Sequence, residues 1–115
     1  MTKNLFHSNA SSILHAIMTY EAFQQSLSLD TPPAGYSPLL EALWHDGKED
    51  WESAHEIAQS AEGTREYDRI HAYLHRKEGD QWNAGYWYRR AGATMPSVSL
   101  AKEWESLVRH HLEIS

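Results

Sequence analysis

The sequence predicts an all-α domain of about six helices, arranged as two stacked antiparallel hairpins between an N-terminal and a C-terminal capping helix. Three observations carry this. Apolar residues recur at three- and four-residue intervals, no segment sustains the alternation of a strand, and Gly, Pro and cap residues cut the pattern into short lengths. The 115 residues fit one domain, 1–115, and 41 % hydrophobic with 23 % charged residues is an ordinary globular balance.

The elements follow in order. Ile13, Leu14, Ile17, Met18, Phe23 and Leu27 read as one helix over about 12–27; Met18-Thr19-Tyr20 reads equally well as a start, with residues 1–17 a poorly ordered extension. Residues 30–36, with Pro32, Pro33 and Gly35, form a linker, because proline removes a donor and pushes its predecessor out of the helical region. Ser37-Pro38 is an N-cap and first helical position for a helix through Leu39, Leu40, Leu43 and Trp44, stopped at Gly47. Asp50 caps a third helix, with Trp51, Ala54, Ile57, Ala58 and Ala61 on one face up to Gly63. Thr64 caps a fourth, with Tyr67, Ile70, Tyr73 and Leu74 up to Gly79; Asp80 caps a fifth ending at Gly92. After Met95-Pro96-Ser97, Leu100, Trp104, Leu107, Val108 and Leu112 form a final amphipathic helix.

Ten Lys and Arg against sixteen Asp and Glu give a net charge of −6, which opposes binding to nucleic acid. The absence of cysteine removes disulfides and thiolate chemistry and fits a cytoplasmic location. Polar residues from His7 to His15 interrupt any apolar run long enough for a signal-peptide core or a membrane span, so no membrane is expected. No nucleophile elbow or phosphate-binding glycine loop is present, which favours a non-enzymatic protein without a cofactor. Glu49 with Asp50, and Glu103 with Glu105, read as helix-start charges and solvated faces.

Sliding the chain against itself by 30 residues superposes Ala42 on Ala72, His45 on His75, Asp50 on Asp80, Ala54 on Ala84 and Ala61 on Ala91. In the second unit, Ala72, Gly79, Ala84, Tyr88, Ala91 and Pro96 resemble the spacing of the tetratricopeptide and Sel1-like repeat family. The run Asp80 to Ala91 looks like a Sel1 second helix, and His71 to Gly92 is similar to small bacterial proteins of unknown function. In the first unit Glu49 stands where glycine is usual, Ala58 replaces the aromatic, and the unit is about four residues short. The resemblance covers 37–98 and implies a stacked-hairpin, protein-binding module.

That resemblance implies a concave groove presenting Arg69, Tyr73, Arg76 and Lys77, three cations around a tyrosine that suit a protein or acidic peptide. On the fifth helix Ala84, Trp87, Tyr88 and Ala91 share a face, expected to be sandwiched against the final helix and its Trp104. Trp82, Tyr86 and Arg89 point to the other side as an interface patch, with a homodimer among its uses. His71 and His75, four apart on one helix face beside Asp68, are weak metal candidates. Ala72 follows His71 where a metalloprotease needs glutamate, and a metal requires a third ligand from His45, His55 or a capping helix. Packing inside the hairpin is the simpler role for His45 and His75.

Overall fold

The computed structural model describes residues 19–114. Six helices are found there and no strand: α1 (Tyr20–Ser26), α2 (Pro38–Gly47), α3 (Trp51–Gln59), α4 (Arg65–Lys77), α5 (Gln81–Arg90) and α6 (Leu100–Ile114). The all-α, six-helix reading stands. The part of the first helix before residue 19, and the reading of 1–17 as an extension, lie outside the described residues. Among the described residues no helix is long and apolar enough to cross a membrane.

α2 with α3, and α4 with α5, form consecutive antiparallel hairpins; α3 packs on α4 and α6 lies across α2 and α4. The two hairpin turns repeat the same hydrogen bonds. Asp50 N–H donates to the His45 carbonyl at 2.8 Å and Asp80 N–H to the His75 carbonyl at 2.9 Å. The Asp50 carboxylate accepts from Ser53 N–H, and the Asp80 carboxylate from Asn83 N–H. The reversal needs a left-handed residue, supplied by Gly79 at φ 89° in the second turn and by Glu49 at φ 61° in the first. A side chain at Glu49 therefore sits where glycine is conformationally cheaper.

Ser37 caps α2 as expected, accepting from Leu40 N–H at 3.3 Å. Thr64 occupies the N-cap position of α4, but its hydroxyl makes no capping bond. The Asp68 carboxylate reaches back to accept from Gly63 N–H at 3.1 and 3.2 Å instead. The Asp68 carboxylate is thereby committed to the turn before α4. Residues 30–36 connect α1 to α2 without helix or strand, and at their end Tyr36 is buried and stacks on Phe23 with ring centroids 5.5 Å apart.

The main core gathers Phe23 of α1, Leu40, Leu43 and Trp44 of α2, Leu74 of α4 and Val108 of α6. α1 is short, and its last carbonyls are taken by α2: Trp44 Nε1–H donates to Ser26 O at 3.1 Å and Lys48 Nζ to Leu27 O at 2.7 Å. Gly47 ends α2 under pressure from its neighbours, since a Cβ there meets Leu27 and Trp104 side-chain carbons at 3.0 Å. Trp104 thus belongs to the α1–α2 junction, donating Nε1–H to Leu43 O at 3.0 Å, and not to a sandwich with α5.

Candidate functional site

α4 is the central element, and its two sides hold different chemistry. On the side toward α6, two buried carboxylates collect the cations that the sequence places in an open groove. Glu103 is 1 % exposed and accepts from Arg69 Nη1 at 2.8 Å, from Arg76 Nη1 at 2.6 Å and from the Tyr88 hydroxyl. Asp46, equally buried, accepts from the Tyr73 hydroxyl at 2.7 Å and Lys77 Nζ at 2.9 Å. Burial, then the adjacent carboxylates, push the phenols of Tyr73 and Tyr88 well above the usual tyrosine range. Burial opposes charge on Lys77, but its bonds to Asp46 and Glu49 raise its pKa overall.

The expected groove of Arg69, Tyr73, Arg76 and Lys77 is therefore filled from within. Tyr73 is 2 % exposed, and α6 supplies the carboxylate that an external peptide was expected to bring. What remains is a cleft of about 350 Å³ beside Tyr73 and Lys77, walled by Leu27, Leu100 and Trp104. Lys77, its cation, is already paired with Asp46 and Glu49.

The sequence reading of Glu103 with Glu105 as a solvated charge is overturned by its burial, and the overlooked signal was its position. It lies three residues after Leu100 and four before Leu107, on the apolar stripe of α6. A carboxylate on such a stripe requires buried cations opposite it.

On the other side of α4, three imidazoles meet. His71 and His75 lie one turn apart on α4, and α3 brings His55 against them, with His55 Nε2 3.0 Å from His71 Nε2. Ring centroids are 4.7 Å apart for His55 and His71, 5.2 Å for His55 and His75, and 4.9 Å for His71 and His75. One nitrogen from each falls within 4.8 Å of the others.

Two tryptophans hold the rings. Trp51 stacks on His55 at 4.6 Å and is itself pinned by Nε1–H donation to Leu74 O at 2.8 Å; Trp87 of α5 stacks on His71 at 4.0 Å. His75 Nδ1 lies 2.6 Å from the Glu78 carboxylate. His71 Nδ1 is buried with no hydrogen-bond partner among the described residues. Burial, then the two neighbouring imidazoles, push His71 down to about 4, and burial with His75 lowers His55. His45 does not join them; its ring meets Trp44 edge-on.

The outer face of α5 stays open. Trp82 is 77 % exposed, and its ring runs parallel to that of Tyr86 at 6.4 Å. Arg90 lies over the Tyr86 ring at 5.7 Å, while Arg89 is exposed and, among the described residues, forms no salt bridge. No residue of α5 is acidic.

No family model, curated protein or solved structure matches the chain. The tetratricopeptide and Sel1-like resemblance thus rests on the residues quoted for it alone.

Proposed function

We propose that the protein is a non-enzymatic interaction module of the cytoplasm, of the helical-hairpin type that the tetratricopeptide resemblance implies, and that it holds an acidic protein segment on the outer face of α5. The observation that carries this is the exposure of Trp82, 77 % of whose surface faces solvent beside a parallel Tyr86. Tryptophan, tyrosine and arginine are the residues that dominate binding energy at protein interfaces. Charge selects the partner. In a chain of net charge −6, α5 has no carboxylate and carries Arg90, which lies 3.9 Å from the buried Asp68, and Arg89, which pairs with no acid among the described residues, so Arg89 attracts a segment bearing Asp or Glu next to an apolar side chain.

The test is affinity capture from the native cell extract with the full chain, Trp82→Ala and Arg89→Glu as baits, followed by calorimetry on the purified retained protein. The expected result is an acidic partner whose affinity falls about 30-fold in Trp82→Ala and which Arg89→Glu releases at lower salt. Identical retention by all three baits overturns the reading. So does a dimer of the chain that Trp82→Ala converts to monomer, which reassigns the face to self-association.

A further inference from the structure

We propose that His55, His71 and His75 bind one divalent transition-metal cation of the zinc class. The geometry begins with helix spacing: four residues set His71 and His75 on one face of α4, and the α3–α4 packing brings His55 in from the facing helix. In a tetrahedral zinc centre with Zn–N bonds of about 2.0–2.1 Å, neighbouring ligand nitrogens are about 3.3 Å apart. His55 Nε2 and His71 Nε2 are 3.0 Å apart, and the third nitrogen lies within 4.8 Å of both. A rotation of the His75 side chain completes the set.

Features around the rings match what a metal site needs and packing does not. Glu78 at 2.6 Å from His75 Nδ1 keeps the proton on that nitrogen and leaves Nε2 with its lone pair; this is the carboxylate–histidine arrangement that orients metal ligands. The Trp51 and Trp87 stacks fix the other two rings before any ion arrives. Three imidazoles packed together disfavour one another's charge, which keeps their lone pairs available to a cation. A core built for packing alone is better served by apolar residues there. Nitrogen donors select zinc and its transition-metal neighbours over magnesium and calcium. His55 and His75 keep partial exposure, so the cluster is reachable from solvent while His71 is buried at its base.

Two other groups also bring ligand atoms within 4.8 Å of one another: His75 with Glu78 and Asp80 at the α4–α5 turn, which shares His75 and is told apart by His55, and Glu66 with His110 and His111. There His110 is 46 % exposed and already bonded to Glu66 at 2.7 Å, so this group serves as the control. The proposal does not rest on the α5 surface: neither Trp82 nor Arg89 takes part, and either reading can fail without the other.

The experiment is titration of the chelator-treated full chain with Zn2+ by calorimetry and with Co2+ by visible absorption, tryptophan emission being recorded in parallel. The expected result is one equivalent bound, a Co2+ spectrum of tetrahedral nitrogen ligation, and a change in emission from the two stacked indoles. His75→Gln lowers affinity at least tenfold and Glu78→Gln about 10- to 100-fold. His110→Gln, and a His7→Gln/His15→Gln pair, leave binding unchanged. Circular dichroism checks that each variant is folded; His55→Gln, which is absent from the Asp80 group, decides between the two sites and is expected to lose binding together with His75→Gln. Absence of uptake overturns the proposal, as does equal binding by His75→Gln and wild type, or loss of binding in His110→Gln.

Discussion

Replacing Glu103 with alanine tests the account of the filled groove most directly. The carboxylate accepts from Arg69, Arg76 and the Tyr88 hydroxyl, and it is 1 % exposed. Removing it orphans the buried phenol, at about 1–2 kcal/mol, and deletes two charge-assisted bonds worth about 1.5–3 kcal/mol each when fully buried. The arginine side chains are 22 % and 15 % exposed, so water recovers part of their solvation. Halving their share gives a total of about 2.5–5 kcal/mol, consistent with the cost of breaking one side of a buried ion pair. In urea, with a slope of about 1.5 kcal/mol per molar, the midpoint falls by roughly 2–3 M. Glu103→Gln, which keeps the acceptor shape, loses less. Equilibrium unfolding followed by circular dichroism measures both. A loss below about 1 kcal/mol in Glu103→Ala means that the arginines are not held by this carboxylate in solution and that the groove is open.

Glu49→Gly is expected to stabilise the protein by about 0.5–1 kcal/mol, read as a higher midpoint, because it relieves a left-handed residue and removes only an exposed pair with Lys77. Stability is expected to fall below pH 6.5. The unfolded chain protonates His71 near 6.5 and the folded chain only near 4, so the unfolded state binds the proton first, costing on the order of 2–3 kcal/mol by pH 4. His111, lowered by burial, acts in the same direction; at Glu66 burial raises the pKa, but the bond to His110 together with the charges of His110, His111 and Arg65 lowers it overall, which also favours the folded state until the carboxylate is protonated. Urea midpoints at pH 7.5 and pH 5 check this, and a flat or rising profile contradicts it. Trp82→Ala is expected to change stability by less than about 0.5 kcal/mol, whereas Trp87→Ala, which removes the stack on His71, costs about 3 kcal/mol; thermal melts separate the two.

The helices were legible because their ends are chemically marked. Ser37-Pro38, Asp50 and Asp80 form the caps that their types predict, and the offset of 30 residues returns as two turns with matching hydrogen bonds. The α4 groove was not legible, because spacing along one helix says which residues share a face but not what lies on that face. Arg69, Tyr73 and Arg76 share a side as expected; only the return of α6 shows that Glu103 covers it. Similarly, His71 and His75 were visible as a pair, but His55 joins them through the α3–α4 packing, a contact between residues 16 apart that no local pattern encodes.

The way this acidic chain uses its few cations narrows where an acidic partner can bind. Lys48 donates to Leu27 and Leu29 carbonyls; Arg69 and Arg76 serve Glu103; Lys77 serves Asp46; Arg109 is paired with Glu105. Drawing Arg69, Arg76 or Lys77 into an intermolecular contact strands the buried Glu103 or Asp46 carboxylate, whereas Lys48 and Arg109 are held by surface bonds. Arg89 carries no such obligation and adjoins the most exposed tryptophan in the described structure. If a partner is instead found to depend on Arg76, its affinity must include the cost of displacing Glu103, and Glu103→Gln should then strengthen binding while weakening the fold. Opposite signs in those two measurements separate a partner that displaces α6 from one that docks on α5.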